Sequence, residues 1–100
     1  STNEWEEEAV PTATVRDCHA VAVLDGKLYA VGGRNGGGGV WLSSVERYDP
    51  AVNAWEAVAP MAEGREAPAV AALDGKLYAV GGYGGGRLSS VERYDPATNA

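Results

Sequence analysis

Cys18 and His19 are adjacent residues whose side chains have the intrinsic reactivity for nucleophilic or metal chemistry. A thiol and an imidazole act as nucleophile and base only when they lie within hydrogen-bond distance. Neighbouring residues of an extended chain point to opposite faces, so one copy of this pair does not meet that requirement. A near-identical later segment has Ala67 and Pro68 in these places, so the fold does not depend on the pair. If several copies of the chain formed a ring, these side chains would lie near its axis and could form a soft-metal site. The alternative interpretation is that Cys18 is a small buried thiol and His19 a histidine at the end of a loop.

Two glycine runs, residues 36–39 and 84–86, have the composition of a phosphate-binding loop. Neither is followed by Lys-Ser/Thr or by a helix whose N-terminus would face an anion, so both are predicted to be flexible loops.

Glu46 and Glu92 each precede an arginine in a predicted strand, and we interpret them as solvated surface charges. Acid–base catalysis needs two carboxyls that converge in a pocket, which this spacing does not indicate. We therefore expect no enzymatic activity, no catalytic residue and no cofactor.

The composition limits the classes of partner. The net charge is −6 and no basic stripe is present, which argues against nucleic acid or an anionic membrane as a partner. No apolar run has the length of a membrane helix, and the first residues lack the pattern of a signal peptide. The chain has one cysteine, which favours a reducing compartment, cytoplasmic if the chain is made in a cell. The sequence leaves the compartment otherwise open.

An internal repeat organises the whole chain. The string LDGKLYAVGG occupies residues 24–33 and returns at residues 73–82, which is 49 positions later. The string LSSVERYDPA occupies residues 42–51 and returns at residues 88–97, which is 46 positions later. A period of almost 50 residues is typical of propellers and solenoids, in which one unit cannot bury its own apolar faces. Two units are too few to complete such a fold.

Each copy carries the signals of an antiparallel meander. Asp-Gly pairs between apolar runs predict tight hairpins, and Asp-Pro pairs end the third strand. The predicted strands are residues 20–24, 27–31, 44–48 and 55–58 in the first copy and 69–73, 76–80 and 90–94 in the second. A further strand, the counterpart of the one at Trp55, begins at Trp5. The predicted fold class is all-β, with four-stranded meanders and no helix.

Several spaced positions resemble the kelch repeat: a double glycine after an apolar strand, then Tyr-Asp-Pro, then a tryptophan, with an arginine before the first strand. They are Gly32, Gly33, Tyr48, Trp55 and Arg16 in the first copy and Gly81, Gly82, Tyr94 and Arg65 in the second. The resemblance implies a β-propeller with two blades per chain. Residues 1–10 would then supply an outer strand that closes a blade, residues 16–58 a complete blade, and residues 65–100 three strands of another. Because the chain's own ends cannot meet, we expect the closing strand to pass to a neighbouring chain.

We expect a non-enzymatic module that binds copies of itself and acts as a scaffold with a latent binding face. The blade number of similar kelch domains implies three chains and six blades, and a homotetramer with eight blades is the alternative. The second function to consider is a fragment of the substrate-recognition domain of a kelch adaptor. A third is an enzyme, since some propellers of this family carry oxidase chemistry with copper. That chemistry would need His and Tyr ligands that a chain with one histidine does not offer. The near identity of the copies favours an engineered or excerpted repeat, and a natural duplication stays open.

Strand direction places the loops between strands two and three, and those before strand one, at one end of the blades. We predict a ligand-binding face at this end, formed by Arg16, Arg34, Asn35, Trp41, Arg65, Tyr83 and Arg87. The kelch resemblance implies that such a face holds a peptide or a protein, often an acidic one, and that Arg34 and Tyr83, directly after the double glycines, are contact residues. Cys18 and Ala67 depart from the arginine found in some adaptors at this position. Trp41 breaks the repeat, since Arg87 stands in its place in the second copy.

Overall fold

The computed structural model describes Thr12, residues 16–35 and residues 39–100. Nine strands run through these residues, and no helix among them could span a membrane. The strands are β1 (Ala20–Leu24), β2 (Lys27–Val31), β3 (Arg34–Asn35), β4 (Val40–Trp41), β5 (Val45–Asp49), β6 (Ala54–Val58), β7 (Ala69–Leu73), β8 (Lys76–Val80) and β9 (Val91–Tyr94). The predicted strands are confirmed, with shifts of one residue at the ends of three of them. The strand predicted from Trp5 lies outside the described residues.

Asp-Gly turns join the first two strands of each copy. Asp25 and Gly26 have φ angles of 51° and 74°, and Asp74 and Gly75 repeat these values. Two consecutive residues at positive φ match a type I′ turn, whose twist fits the twist of antiparallel strands. The short polar side chain of aspartate tolerates this conformation and glycine accepts it freely. The hairpins predicted from these dipeptides are therefore confirmed.

The strands form two meanders and one small ribbon. The first sheet has the order β1-β2-β5-β6, with every neighbouring pair antiparallel. The second has the order β7-β8-β9, so its fourth position is empty among the described residues. The described flanks of the first glycine-rich loop form the small ribbon, in which β3 and β4 pair through Arg34 with Trp41 and Asn35 with Val40.

The core lies between the two sheets. The first sheet contributes Leu24, Tyr29, Val31 and Val45, and the second contributes Leu77 and Ala79. The Tyr29 ring meets the Tyr94 ring of the second sheet at a centroid distance of 6.0 Å, a tilted geometry that aromatic pairs favour. The chain is therefore a face-to-face pair of meanders with one shared apolar layer.

The outward face of the second sheet is apolar and exposed. It carries Leu73, Val80 and Val91, which are 58%, 44% and 56% exposed, and we call it the trailing face. The repeat matches these residues to Leu24, Val31 and Val45, which are 7%, 2% and 5% exposed. The outward face of the first sheet, here called the leading face, carries Val21 and Val23, also exposed. The same side chains are thus buried in one copy of the repeat and bare in the other.

Candidate functional site

Arg65 holds the second sheet together from within. Its Nη1 donates to the carbonyls of Gly81 (2.8 Å) and Ser90 (3.0 Å). Its Nη2 donates to Ser90 Oγ (3.0 Å) and Glu92 Oε2 (2.7 Å). The residue is fully buried. A planar guanidinium offers several donors in a fixed fork, so one side chain ties the double-glycine loop to the third strand.

Arg16 makes the same four contacts in the first sheet. It donates to the carbonyls of Gly32 (2.8 Å) and Ser44 (3.0 Å), to Ser44 Oγ (3.1 Å) and to Glu46 Oε2 (2.8 Å). Arg16 is 9% exposed and Glu46 is 4% exposed. The interpretation of Glu46 as a solvated charge is therefore wrong, because its carboxylate is a buried ion-pair partner. Arg16 and Arg65 belong to the predicted ligand-binding face, but both guanidinium groups point inward and are engaged.

The Glu92 carboxylate accepts hydrogen bonds from the backbone of the segment that joins the two sheets. Besides Arg65, it accepts the backbone N–H groups of Ala62 (2.6 Å) and Glu63 (3.2 Å). Burial by itself would raise the pKa of Glu92, but these N–H groups and the guanidinium outweigh it and hold the pKa below its ordinary value. The carboxylate is therefore kept ionised and fixes the course of the connecting segment.

A second cluster lies at the loop end of the blades, the end that carries β3 and β4. Trp41 Nε1 donates to Glu66 Oε1 at 2.8 Å, and the Trp41 ring lies 5.7 Å from the Tyr83 ring. Arg34 Nε approaches the same Glu66 oxygen at 3.9 Å. Glu66 was not among the predicted site residues. Its position directly after the repeat arginine, matched by the acidic Asp17, is the signal that would have found it.

The remaining predicted face residues lie at the same end. Asn35 is exposed in β3, and Arg87 is exposed beside Tyr83, with which it forms an isolated antiparallel bridge. Tyr83 itself is 43% exposed. The structure thus brings Arg34, Trp41 and Tyr83 together around Glu66. Arg87 lies next to this cluster, whereas Arg16 and Arg65 are buried.

Cys18 and His19 are both exposed, and the Cys18 thiol lies within hydrogen-bond reach of Glu66. Desolvation of the sulfur and the carboxylates of Asp17 and Glu66 raise the pKa of the Cys18 thiol above its ordinary value. A raised pKa keeps the thiol protonated near neutral pH, and the protonated form is the less reactive one. Within residues 16–35 and 39–100 no group of three His, Cys, Asp or Glu side chains could hold a metal ion.

The backbone at Cys18 and Ala67 is unusual. Their φ angles are 53° and 50°, in the left-handed region that favours glycine or asparagine. The N–H of Ala67 donates to the carbonyl of Cys18 at 2.6 Å, which connects the start of one blade to the start of the other. Matched positions in the two copies therefore share the same strained conformation.

A seam of backbone hydrogen bonds joins the two sheets. The N–H of Arg65 donates to Leu42 O (3.1 Å), and the N–H of Gly33 donates to Arg65 O (2.8 Å). Just before them, the N–H of Met61 donates to Ser43 O (2.8 Å). The seam lies at the loop end and holds the sheets in one register.

The geometry defines the class of protein: face-to-face antiparallel meanders in tandem are blades of a β-propeller. The solved structure of YjhT superimposes on this chain with a TM-score of 0.81 at 22% sequence identity, and the match covers 94% of this chain and 28% of that chain. At that identity the likeness shows the fold. The all-β propeller predicted from the sequence is confirmed.

The chain belongs to the family described as Kelch motif, whose model matches residues 16–62 and 64–100. Two similar curated proteins are Kelch-like protein 33 of Homo sapiens, 47% identical over 55 residues, and Kelch-like protein 23 of Mus musculus, 41% identical over 56 residues. These matches cover 55% and 56% of this chain and 10% of each relative. The chain thus spans about a tenth of the length of the curated relatives it matches.

Proposed function

We propose that this chain is a non-enzymatic kelch module that closes into a ring with copies of itself. The observation that carries the proposal is the contrast between matched faces. Leu73, Val80 and Val91 are exposed on the trailing face, while their counterparts in the first sheet are buried against the second sheet. Exposed apolar patches of this kind mark interaction sites on soluble proteins.

The leading face is the natural occupant of the trailing face. In the second sheet, Val70, the counterpart of Val21 on the leading face, packs in the core against the first sheet. Leu77 and Ala79, the counterparts of Leu28 and Ala30, lie in the same core. The contact within the chain is therefore a template for a contact between chains, with the leading face of one copy on the trailing face of another. Such a head-to-tail contact gives a ring when its rotation closes.

The backbone seam supports the same contact. Gly82 is the counterpart of Gly33, and Leu88 is the counterpart of Leu42. Among the described residues, neither the N–H of Gly82 nor the carbonyl of Leu88 has a hydrogen-bond partner. In the ring, the O and N–H of Arg16 from the next copy would take these places, as those of Arg65 do within the chain. Buried backbone groups need such partners.

Three chains, giving six blades, are the proposed ring, and four chains with eight blades are the alternative. Whole chains with two blades allow only even blade numbers. The fourth strand of the second blade would come from residues 1–10 of a neighbouring copy, added to the free edge of β9. An edge strand left open invites pairing with another chain, so this strand would both complete the blade and protect the edge.

We expect the particle in solution at micromolar concentration to have three times the mass of one chain, which is 10.4 kDa. Native mass spectrometry and light scattering measure this directly. Deleting residues 1–10 should remove the closing strand and shift the population to smaller species. A well-folded monomer at this concentration would contradict the proposal.

The absence of catalysis is part of the proposal. Its support is that the thiol of Cys18 is exposed with a raised pKa, and that the carboxylates of Glu46, which is buried, and Glu92, which is partly exposed, are paired with arginines. Nucleophilic catalysis requires an activated nucleophile and an oriented base instead. These side chains serve structure.

The loop end is the proposed binding surface for a peptide or protein with acidic character. Arg34, Asn35, Trp41, Tyr83 and Arg87 contribute to it, combining guanidinium groups with an aromatic pair. Aromatic and arginine side chains dominate the energetics of many protein interfaces. Because the chain has a net charge of −6, attraction of an acidic ligand would be local to this end.

Binding of an acidic peptide to this surface should be weak and sensitive to salt. Raising the ionic strength from about 0.01 M to about 0.15 M shortens the screening length from about 30 Å to about 8 Å and should reduce the affinity several-fold. Replacing Arg34 with alanine should reduce it as well, whereas Lys76→Ala, at the opposite end of the blade, should not. Isothermal titration measures both effects. Affinity that ignores both salt and Arg34→Ala would contradict the proposed surface.

The second candidate function is that of a fragment of a longer kelch substrate-recognition domain. The observation in its favour is that the match covers only 10% of each curated relative. In such a protein the trailing and leading faces would meet further blades of the same polypeptide. The mass measurement separates the two, since a fragment that needs differing blades would not form a closed ring with itself.

A further inference from the structure

Two positions at the loop end break the repeat in a matched way. Trp41 in the first blade is replaced by Arg87 in the second, and Glu66 in the second blade is replaced by Asp17 in the first. Within the chain, Trp41 and Glu66 meet across the junction of the blades through a hydrogen bond of 2.8 Å. Each substitution therefore changes one partner of a contact between neighbouring blades.

We propose that Arg87 of one copy forms an ion pair with Asp17 of the next copy, so that this pair marks the junction between chains. The inference rests on the proposed ring. In that ring, the loop of the second blade contacts the first blade of the next copy, so Arg87 takes the place of Trp41 and Asp17 takes the place of Glu66. The partner is a second copy of this chain.

The chemistry of the two side chains fits the pairing. Arg87 and Asp17 are both exposed, and neither forms an ion pair within residues 16–35 and 39–100. Their charges are opposite, and the shorter aspartate is matched by the longer reach of a guanidinium. Asp17 is also held in place, because its N–H and O pair with the backbone of Arg34 at 3.1 and 2.8 Å.

A third charged residue, Arg34, makes the expected contributions of Asp17 and Arg87 to assembly unequal. Arg34 is the repeat counterpart of Tyr83, and the Tyr83 ring lies 5.7 Å from the Trp41 ring. Across the junction between chains, Arg87 would therefore lie near Arg34 of the next copy. Asp17 would then lie between the guanidinium groups of Arg87 and Arg34. Its loss would leave these two positive charges to repel each other. Asp17 should consequently matter more than Arg87.

The test is charge reversal, read out as the chain concentration at which half of the rings dissociate. Asp17→Arg should raise this concentration at least about tenfold, Arg87→Glu should raise it less, and the double variant should return close to wild type. The double variant keeps the wild-type net charge and is the matched control. High salt should reduce the defect of Asp17→Arg.

Mixing the two single variants adds a second readout. A glutamate at 87 faces an arginine at 17 only when the two kinds of chain adjoin, so the mixture should recover Asp17→Arg chains into rings. Native mass spectrometry should find one Asp17→Arg chain in a ring of three or two in a ring of four. Normal assembly of Asp17→Arg, or a double variant no better than Asp17→Arg, would overturn the ion pair while leaving the ring intact. A monomeric wild type would overturn the ring and the pair together.

Discussion

Replacing Gly81 with alanine should leave the two-blade unit folded and prevent the proposed ring, whereas Gly32→Ala should damage the fold itself. Gly81 and Gly32 are repeat counterparts with φ angles of 65° and 64°. A Cβ at Gly32 would meet the carbonyl oxygen of Arg65 at less than the 3.0 Å that real Cβ contacts observe. Among the described residues, a Cβ at Gly81 would meet Leu88 O, at 3.2 Å, and no other atom within 4 Å. In the ring, Arg16 O of the next copy would occupy the space that this Cβ needs.

The measurements are the molar mass and the free energy of unfolding. Gly75→Ala is the control, because Gly75 also has a positive φ, 74°, but no atom of residues 16–35 and 39–100 lies within 4 Å of its Cβ position. It isolates the conformational cost of alanine in this region, about 1 kcal/mol. Gly81→Ala should cost little more than this control in the isolated chain and should still abolish the ring. Rings formed by Gly81→Ala at wild-type concentrations would contradict the proposed contact.

Replacing Arg65 with methionine should lower the free energy of unfolding by about 3–5 kcal/mol. The Arg65 side chain is fully buried, so its removal leaves Glu92, whose side chain is 23% exposed, without its closest cation. It also leaves the carbonyls of Gly81 and Ser90 without their donor. A typical domain has only about 5–15 kcal/mol of stability, so this loss would be a large part of the total. Chemical denaturation measures it.

Arg93→Met is the matched control, because Arg93 is an exposed arginine in β9 that directly follows Glu92. Both variants should be measured in the Gly81→Ala background, where assembly does not contribute, and Arg93→Met should change the free energy by less than about 1 kcal/mol.

The pKa of Glu92 is lowered in the folded state, so its stabilising effect is present above the ordinary value of 4.5 and is lost as the pH falls below it. The difference between Arg65→Met and the parent should therefore narrow at acidic pH. A difference that is constant with pH would exclude the ion pair as its source.

Local patterns were sufficient to predict the strands and their hairpins. Asp25-Gly26 and Asp74-Gly75 define their turns within two residues, and the apolar strands on either side pair with their nearest neighbours in sequence. The recurrence of these elements made a propeller blade the predicted unit. Such features depend on residues that are close in the chain, which is why the sequence alone indicates them.

The burial of charged residues was not predictable in this way. Glu46 is followed by Arg47 in a strand, and a local reading assigns both to the solvent. Its partner Arg16 lies 30 positions earlier and reaches it only after the sheet has formed. The same holds for Glu66, whose contact with Trp41 spans 25 positions and two blades. The fate of these charges is decided by tertiary contacts that no local pattern encodes.

The left-handed backbone at Cys18 and Ala67 has a consequence at the level of the gene. The left-handed conformation occurs at one of these two residues in each blade. In the proposed ring of three identical chains, each of the two residues would be present three times. A mutation that relieves or worsens such a local strain, typically of order 1 kcal/mol at one site, would then act in every copy at once. Selection on a repeated, self-closing chain would consequently respond to single nucleotide changes more steeply than it does in a protein whose blades vary independently.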